Sequence, residues 1–453
     1  MGSLRIRQDY MIAEGLLAPY ETGDETPPEL AQWALARIRQ LSAHEVGHTL
    51  GLGHNYYDSR AGRISVMDYP HPLITLNRDG TFDYSEVYDV GIGEWDKVAI
   101  AYGYQDFPGG TDEGQALTQI LDQAWDRDIR FFTNQDISIH PKADQWSNGT
   151  EAPAELNRMM EVRRVALSRF GEKAIKRGMP LATMEEVLVP LYLHHRYQVT
   201  AAASVLGGLD YIYAMRGDGR EPVRPVPAEQ QQAALSALLA TLDPSALVLP
   251  EAIVQTLPPR PAGYFRHREL FPRYTGSTFD VIAPATVAAD HTVSSILNAQ
   301  RAARLVEQSA INPSLPDLHG VIDALIAATF GVTPNNPYEA EVSRAIERVV
   351  VDRLIGLAAT ARMPQVRAIA TMRLERLQNE IPSWTARADQ SDAAHYTLLA
   401  RDIRRFLDRA AGTVEQPATL AAPPGAPIGE PAMDWLVPRE PRCSGRDVPL
   451  NWK

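Results

Sequence analysis

The stretch from Ser42 to Asn55, SAHEVGHTLGLGHN, holds three histidines, one glutamate and three glycines in fourteen residues. Residues four apart on an α-helix share a face, so His44 and His48 would present their imidazoles side by side. Two neutral imidazoles on one rigid helix are good zinc ligands at little cost in ordering entropy. Glu45, next to His44, can reach a metal-bound water without itself ligating the metal. Zinc lowers the pKa of such a water to about 7, and the carboxylate can then take its proton. The chemistry these residue types could do is hydrolysis.

A third ligand cannot come from the same straight helix. His54, six residues past His48, would lie about 240° around the axis and about 9 Å further along it. The chain must therefore leave the helix and double back. Gly51 sits where the break is needed, because glycine accepts left-handed backbone at almost no steric cost. Gly53 loosens the turn further. A scheme with a glutamate as third ligand, about twenty residues beyond His48, finds Met67, Asp68 and Tyr69 there instead, and the next glutamate is Glu86. Exposed helix histidines that hold no metal are the alternative reading.

The pattern HExxHxxGxxH, here His44-Glu45-His48-Gly51-His54, resembles the zinc signature of the metzincin metallopeptidases. Downstream, SVMDYP (Ser65 to Pro70) supplies Met67 thirteen residues after His54, and Ser-x-Met-x-Tyr is similar to the methionine turn of astacins and serralysins. The resemblance implies Zn2+ as cofactor, with His44, His48 and His54 as metal ligands and Glu45 as catalytic base. It implies structural roles for Gly51 and for Met67 beneath the metal, and for Tyr69 a swing toward the metal to stabilise the oxyanion. Taken alone, Met67 could equally fill a core gap and Tyr69 could simply pack. GIGEWDK, LHHRYQ and TGSTFD extend the likeness to the C-terminal part of large bacterial metzincin-like proteins. Such proteins are exported from Gram-negative cells, which implies an extracytoplasmic place (periplasmic, outer-membrane-associated or secreted) for the intact precursor.

The elements that must position these residues come next. A length of 453 residues is two or three domains' worth of chain, and 45% hydrophobic with 22% charged residues is the composition of a globular protein with a substantial core. Net charge of −12 argues against nucleic acid as the main partner, and the resemblance implies a peptide or protein substrate. The arginines of Arg362 to Gln378 are spread among apolar residues, as on a solvated helix face. Cys443 stands alone in a Pro-rich tail and can form no internal disulfide. No run of about 18 apolar residues occurs, so no transmembrane segment is expected. The first twenty residues lack the apolar stretch of a signal peptide, and Met1-Gly2-Ser3 reads as an artificial start added to a chain begun in mid-protein.

Residues 1–26 show no clear periodicity. Thr26 and Glu29 have the spacing of a capping box, with Pro27 in the first turn, and open a helix running to about Leu50. Leu30, Ala34, Ile38 and Leu41 form its expected buried stripe. Trp95 to Tyr104 is the candidate for the helix that, by resemblance, packs behind the methionine turn. Helical stretches then follow at 113–131, 153–178, 184–216, 227–241, 286–309, 316–330, 337–361, 364–381 and 391–411, and strand-like alternation is scarce. Adjacent His194 and His195 would point in different directions on a helix, as packing residues and not a ligand pair.

The expected fold is mainly α: the C-terminal part of a metzincin catalytic domain over 1–110, a helical domain over 111–411 and a Pro-rich extended tail over 412–453. A metzincin places a sheet and two helices ahead of its zinc helix, and only 43 residues precede His44, so the upper rim of the cleft is expected to be missing. The functional expectation is a zinc-dependent endopeptidase acting through a Glu45-activated zinc-bound water, impaired in this chain. The rival is a non-catalytic helical binding or scaffold module with a structural or vestigial zinc site.

Overall fold

Helical periodicity dominates the sequence and helices dominate the structure, a computed structural model that describes residues 3–408 apart from Ser147 and Arg387. The mainly α fold with little sheet holds: among the described residues, strands form only two antiparallel hairpins. Strand β1 (Thr75–Leu76) pairs with β2 (Phe82–Asp83), and β3 (Leu209–Tyr211) with β4 (Val223–Pro225). The expected tail and Cys443 lie outside the described residues.

Helix α1 (Ser3–Leu17) forms where the sequence shows no clear periodicity. Its Ile12, Ala13 and Leu16 are buried, so packing against its neighbours, rather than a clean amphipathic pattern, holds it. It lies on α2 (Pro28–Thr49), the helix of the histidine motif. The capping box does not form. Pro27 is itself the cap, in extended conformation with no side-chain hydrogen bond, and Pro28 takes the first helical position. The buried stripe is also rotated from the expected one. Leu30 and Leu41 are buried, but Trp33, Arg37 and Gln40 complete the inner face while Ile38 is exposed.

Further on, α3 (Glu94–Tyr104) matches the expected helix at Trp95 to Tyr104, and α4 (Glu113–Asp126) and α5 (Ala152–Arg169) follow. The stretch 184–216 is not one helix: α6 (Met184–Tyr192) ends before the paired histidines and α7 (Arg196–Val205) begins after them. After α8 (Ala228–Ala240) come two short helices, α9 (Pro244–Leu247) and α10 (Glu251–Thr256), which the pattern did not show. The stretch 286–309 divides into α11 (Ala283–Ile296) and α12 (Ala299–Ile311), because the Asn298 side chain accepts from the N–H groups of Gln300 and Arg301 and starts a new helix. The last four are α13 (Leu318–Phe330), α14 (Pro337–Thr360), α15 (Pro364–Thr385) and α16 (Gln390–Leu407).

One hydrophobic cluster runs from Ile12 and Leu16 on α1 through Leu188 and Val199 to Leu354, Leu374 and Ile403. α14 lies at its centre, packed by α11, α13, α15 and α16. Among the described residues, no single helix is long and apolar enough to cross a membrane.

Candidate metal centre

The end of α2 decides where the third histidine goes. Gly51 has φ of +81°, the left-handed region that favours glycine. Its N–H donates to the His48 carbonyl at 3.0 Å, and the Leu52 N–H to the Gly47 carbonyl at 3.0 Å. That pair of bonds is a Schellman turn, and it reverses the chain. His54 then returns over the helix end. Its Nε2 lies 3.1 Å from Nε2 of His48, which is itself 3.1 Å from Nε2 of His44. All three ligand atoms lie within 4.8 Å of one another.

These residues fit a metal ion on their own chemistry. His44 Nδ1 lies 2.8 Å from the Val66 carbonyl and His48 Nδ1 lies 2.9 Å from the Leu52 carbonyl. A carbonyl can only accept, so each Nδ1 carries the proton and each Nε2 is left with a bare lone pair. Two such lone pairs facing each other repel unless a cation lies between them. A tetrahedron with zinc–nitrogen bonds of about 2.05 Å has edges of about 3.3 Å, close to the spacing seen. Carbonyl partners on the distal nitrogens are also how metal-bound histidines are ordinarily oriented.

Burial favours the neutral form of His44 and His54. It is the first cause of the lowered His44 pKa, ahead of the opposing Val66 hydrogen bond. His54 falls to about 4, from burial and then from the neighbouring imidazoles His44 and His48. Tyr69 places its hydroxyl 2.7 Å from His54 Nε2, with its ring stacked on His44 at 5.2 Å. Tyr56 stacks against His54 at 5.5 Å. Met67 is fully buried beneath the helix, and a Cβ on Gly47 would lie 2.3 Å from its Sδ. Glycine at 47 is thus what lets the methionine sit directly under the two helical ligands. Glu45 is exposed, on the same outward side as His48.

A second shell, not nominated from the sequence, fixes the Val66 carbonyl. Asp96 of α3 accepts from the Val66 N–H at 2.8 Å and the Gly93 N–H at 2.6 Å with one oxygen, and from the Ser65 hydroxyl at 2.7 Å with the other. Burial nonetheless pushes its pKa up. Gln40 Nε2 donates to the same Val66 carbonyl at 3.2 Å. Arg37 donates to the Gln40 side-chain oxygen and, through Nε, to Asp9 at 3.0 Å. A buried polar chain therefore runs from α1 to His44. Only GIGEWDK, quoted for its likeness to other proteins, touched this shell, and nothing in that motif points to the turn at 65–67.

His194 and His195 lie in the break between α6 and α7, both buried. His194 packs on His71, four residues past Met67, with ring centroids 4.4 Å apart. His194 thus packs behind the SVMDYP turn, and among the described residues neither histidine joins a metal-ligand cluster. Asn148 bonds to the His71 carbonyl at 3.1 Å and accepts from Arg63.

Residues 26–336 match a family described as Met-zincin. No curated protein and no solved structure matches the chain.

Proposed function

This chain belongs to the Met-zincin family, and from that premise we propose that it is a zinc-dependent endopeptidase with Glu45 as its catalytic base. The observation that carries the reading is the convergence of three imidazole Nε2 atoms on one point, with a carboxylate one residue from the first ligand. Zinc held there by His44, His48 and His54 would supply Lewis-acid polarisation of the scissile carbonyl and acidify a water. Glu45 takes that water's proton and passes it to the leaving amine. The Tyr69 hydroxyl, close to His54 Nε2, donates to the oxygen on which negative charge develops. Val66, Leu52 and Asp96 hold the ligand rings, and Met67 sets the floor.

His48 and Glu45 are exposed, so this face neither excludes water nor clamps a peptide, and turnover is expected to be slow. The test is cleavage of a fluorogenic peptide mixture by the zinc-loaded chain and by Glu45→Ala, with zinc content measured in both. The expected result is equal zinc and at least a hundredfold slower cleavage by the variant. Equal zinc with cleavage indifferent to Glu45 would favour a structural metal in a binding module.

A further inference from the structure

Away from the histidine cluster, α7, α11, α12 and α14 enclose a cavity of about 460 Å³ at the joint between α11 and α12. Thr200, His291, Ser294, Ser295 and Asn298 give it a largely polar wall. Arg301, one turn into α12, lines it as well and is only 3% exposed. Its Nη1 donates to the Ser295 carbonyl, while its Nε has no acceptor. No carboxylate pairs with it among the described residues. Burial and then the charge of Arg304 lower its pKa to about 9. Arg304, itself a cation, donates to the carbonyls of Gly207 and Ser138, at 2.7 and 2.8 Å.

A buried cation without a counter-charge is costly, so such groups are found paired or holding a ligand. The other charges on this wall are already matched. Asp352 is held by Arg348 at 2.6 Å, and Arg353 is paired with both oxygens of Asp290. The carboxylate nearest the cavity is therefore committed elsewhere. The Ser295 carbonyl belongs to the C-terminal end of α11 and offsets part of the guanidinium's charge. The first turn of α12 borders the same cavity, but Asn298 already accepts from the N–H groups of Gln300 and Arg301 there. The hydroxyls of Thr200, Ser294 and Ser295 line the same volume but donate to the carbonyls of Arg196 and His291, which leaves the guanidinium as its donor.

We infer that this cavity binds a small oxyanion, a carboxylate or a phosphate group, through the Arg301 guanidinium. Its volume is that of a small-molecule site. The assignment does not depend on peptidase activity.

Calorimetric titration of the full chain at constant ionic strength tests it, with inorganic phosphate in one arm and succinate in the other. One arm should give saturable binding with one site per chain and a matching rise in melting temperature. The arm that saturates names the group. Arg301→Gln should weaken that binding at least tenfold. Gly356 on α14 also lines the cavity, and a Cβ there meets nothing within 4 Å. Gly356→Leu therefore fills the space from the opposite wall without a clash, keeps Arg301, and should abolish binding. It carries the comparison if Arg301→Gln does not fold. The inference is overturned if neither anion saturates beyond a chloride control, or if Gly356→Leu binds as tightly as the unaltered chain. It is equally overturned if Arg301→Gln melts higher and no anion affects either protein, since Arg301 would then only cap α11.

Discussion

Two long helices of this protein are built in opposite ways. α14 buries Val342, Ile346, Val350 and Leu354 and holds the part-buried Arg344, Arg348 and Arg353 at the edges of that core in ion pairs with Asp392, Asp402 and Asp290. α2 buries Arg37, Gln40 and His44 and leaves Leu35, Ile38 and Val46 at 49%, 38% and 56% exposure. The first arrangement maximises the apolar area removed from water, which is the main source of stability in a fold. The second spends its interior on hydrogen bonds that aim one imidazole. α14 serves the core and α2 serves the histidine cluster.

Breaking the polar interior of α2 should have the largest effect. Arg37 and Asp9 are both almost fully buried and their side chains meet at 3.0 Å. Removing one partner of such a pair leaves the other charge without compensation, so Arg37→Met should lose about 3–5 kcal/mol in urea unfolding. The double variant Arg37→Met with Asp9→Leu should recover much of that loss. If the single variant loses less than about 1 kcal/mol, the polar chain is not what holds α2 to α1, and the contrast with α14 fails.

Asp96 sharpens the contrast by separating aim from stability. It touches none of the three histidines, yet it holds the N–H of Val66, the residue whose carbonyl orients His44. Asp96→Asn cannot accept from all three donors at once. Loss of such a partner ordinarily weakens metal affinity by about 10–100-fold. A competition titration against a chromophoric chelator measures this, with a melting curve of the metal-free chain as control. Unchanged affinity would mean that Gln40 and helix packing suffice to aim the ring.

The polar interior also carries a pH signature. Burial pushes Asp144, behind Tyr56, up to about 7, and Asp68 well above the usual carboxylate range. A carboxyl whose folded pKa is raised contributes fully below its unfolded value near 3.8. That contribution is lost as pH rises through about 7, because the unfolded chain releases the proton first. Stability should therefore decline between those limits, by at most about 1.4 kcal/mol per pH unit for one group. Urea unfolding of Asp144→Asn across that window should show a flatter decline, and an unchanged slope would assign the dependence elsewhere.

The histidine motif was legible because its logic is local. Spacing four on a helix, a glycine at the break and a third histidine six residues on are all properties of one short segment, and the Schellman turn at Gly51 follows from them. Long helices such as α14 were legible from periodicity. What the sequence hid is nonlocal. Arg37 and Gln40 look like solvent-facing residues until Asp9 and Val66, 28 and 26 residues away, are brought to them. The expected stripe through Ile38 assumed that apolar residues mark the inner face, and on α2 that assumption fails. Asp96 and Gly47 carry no motif of their own, since their roles exist only once α3 and the turn at Met67 lie against α2. Helix α1 was missed for the same reason: its stability comes from what it packs on.

The outward face of α2 supplies the smallest expected effect and the finest test. Leu35 and Val46 rest on no neighbouring element that buries them, so replacing them with a polar residue removes little apolar burial. Leu35→Gln and Val46→Gln should each change stability by no more than about 0.5 kcal/mol, whereas Val350→Gln on α14 places an amide in an apolar core and should cost several times more. The measurement is urea unfolding at two protein concentrations a hundredfold apart. A loss above about 1 kcal/mol at Leu35 that grows with concentration would mean that copies of the chain cover this face in solution. The apolar exposure would then be an interface, and α2 would resemble α14 after all, with its core supplied by a second molecule.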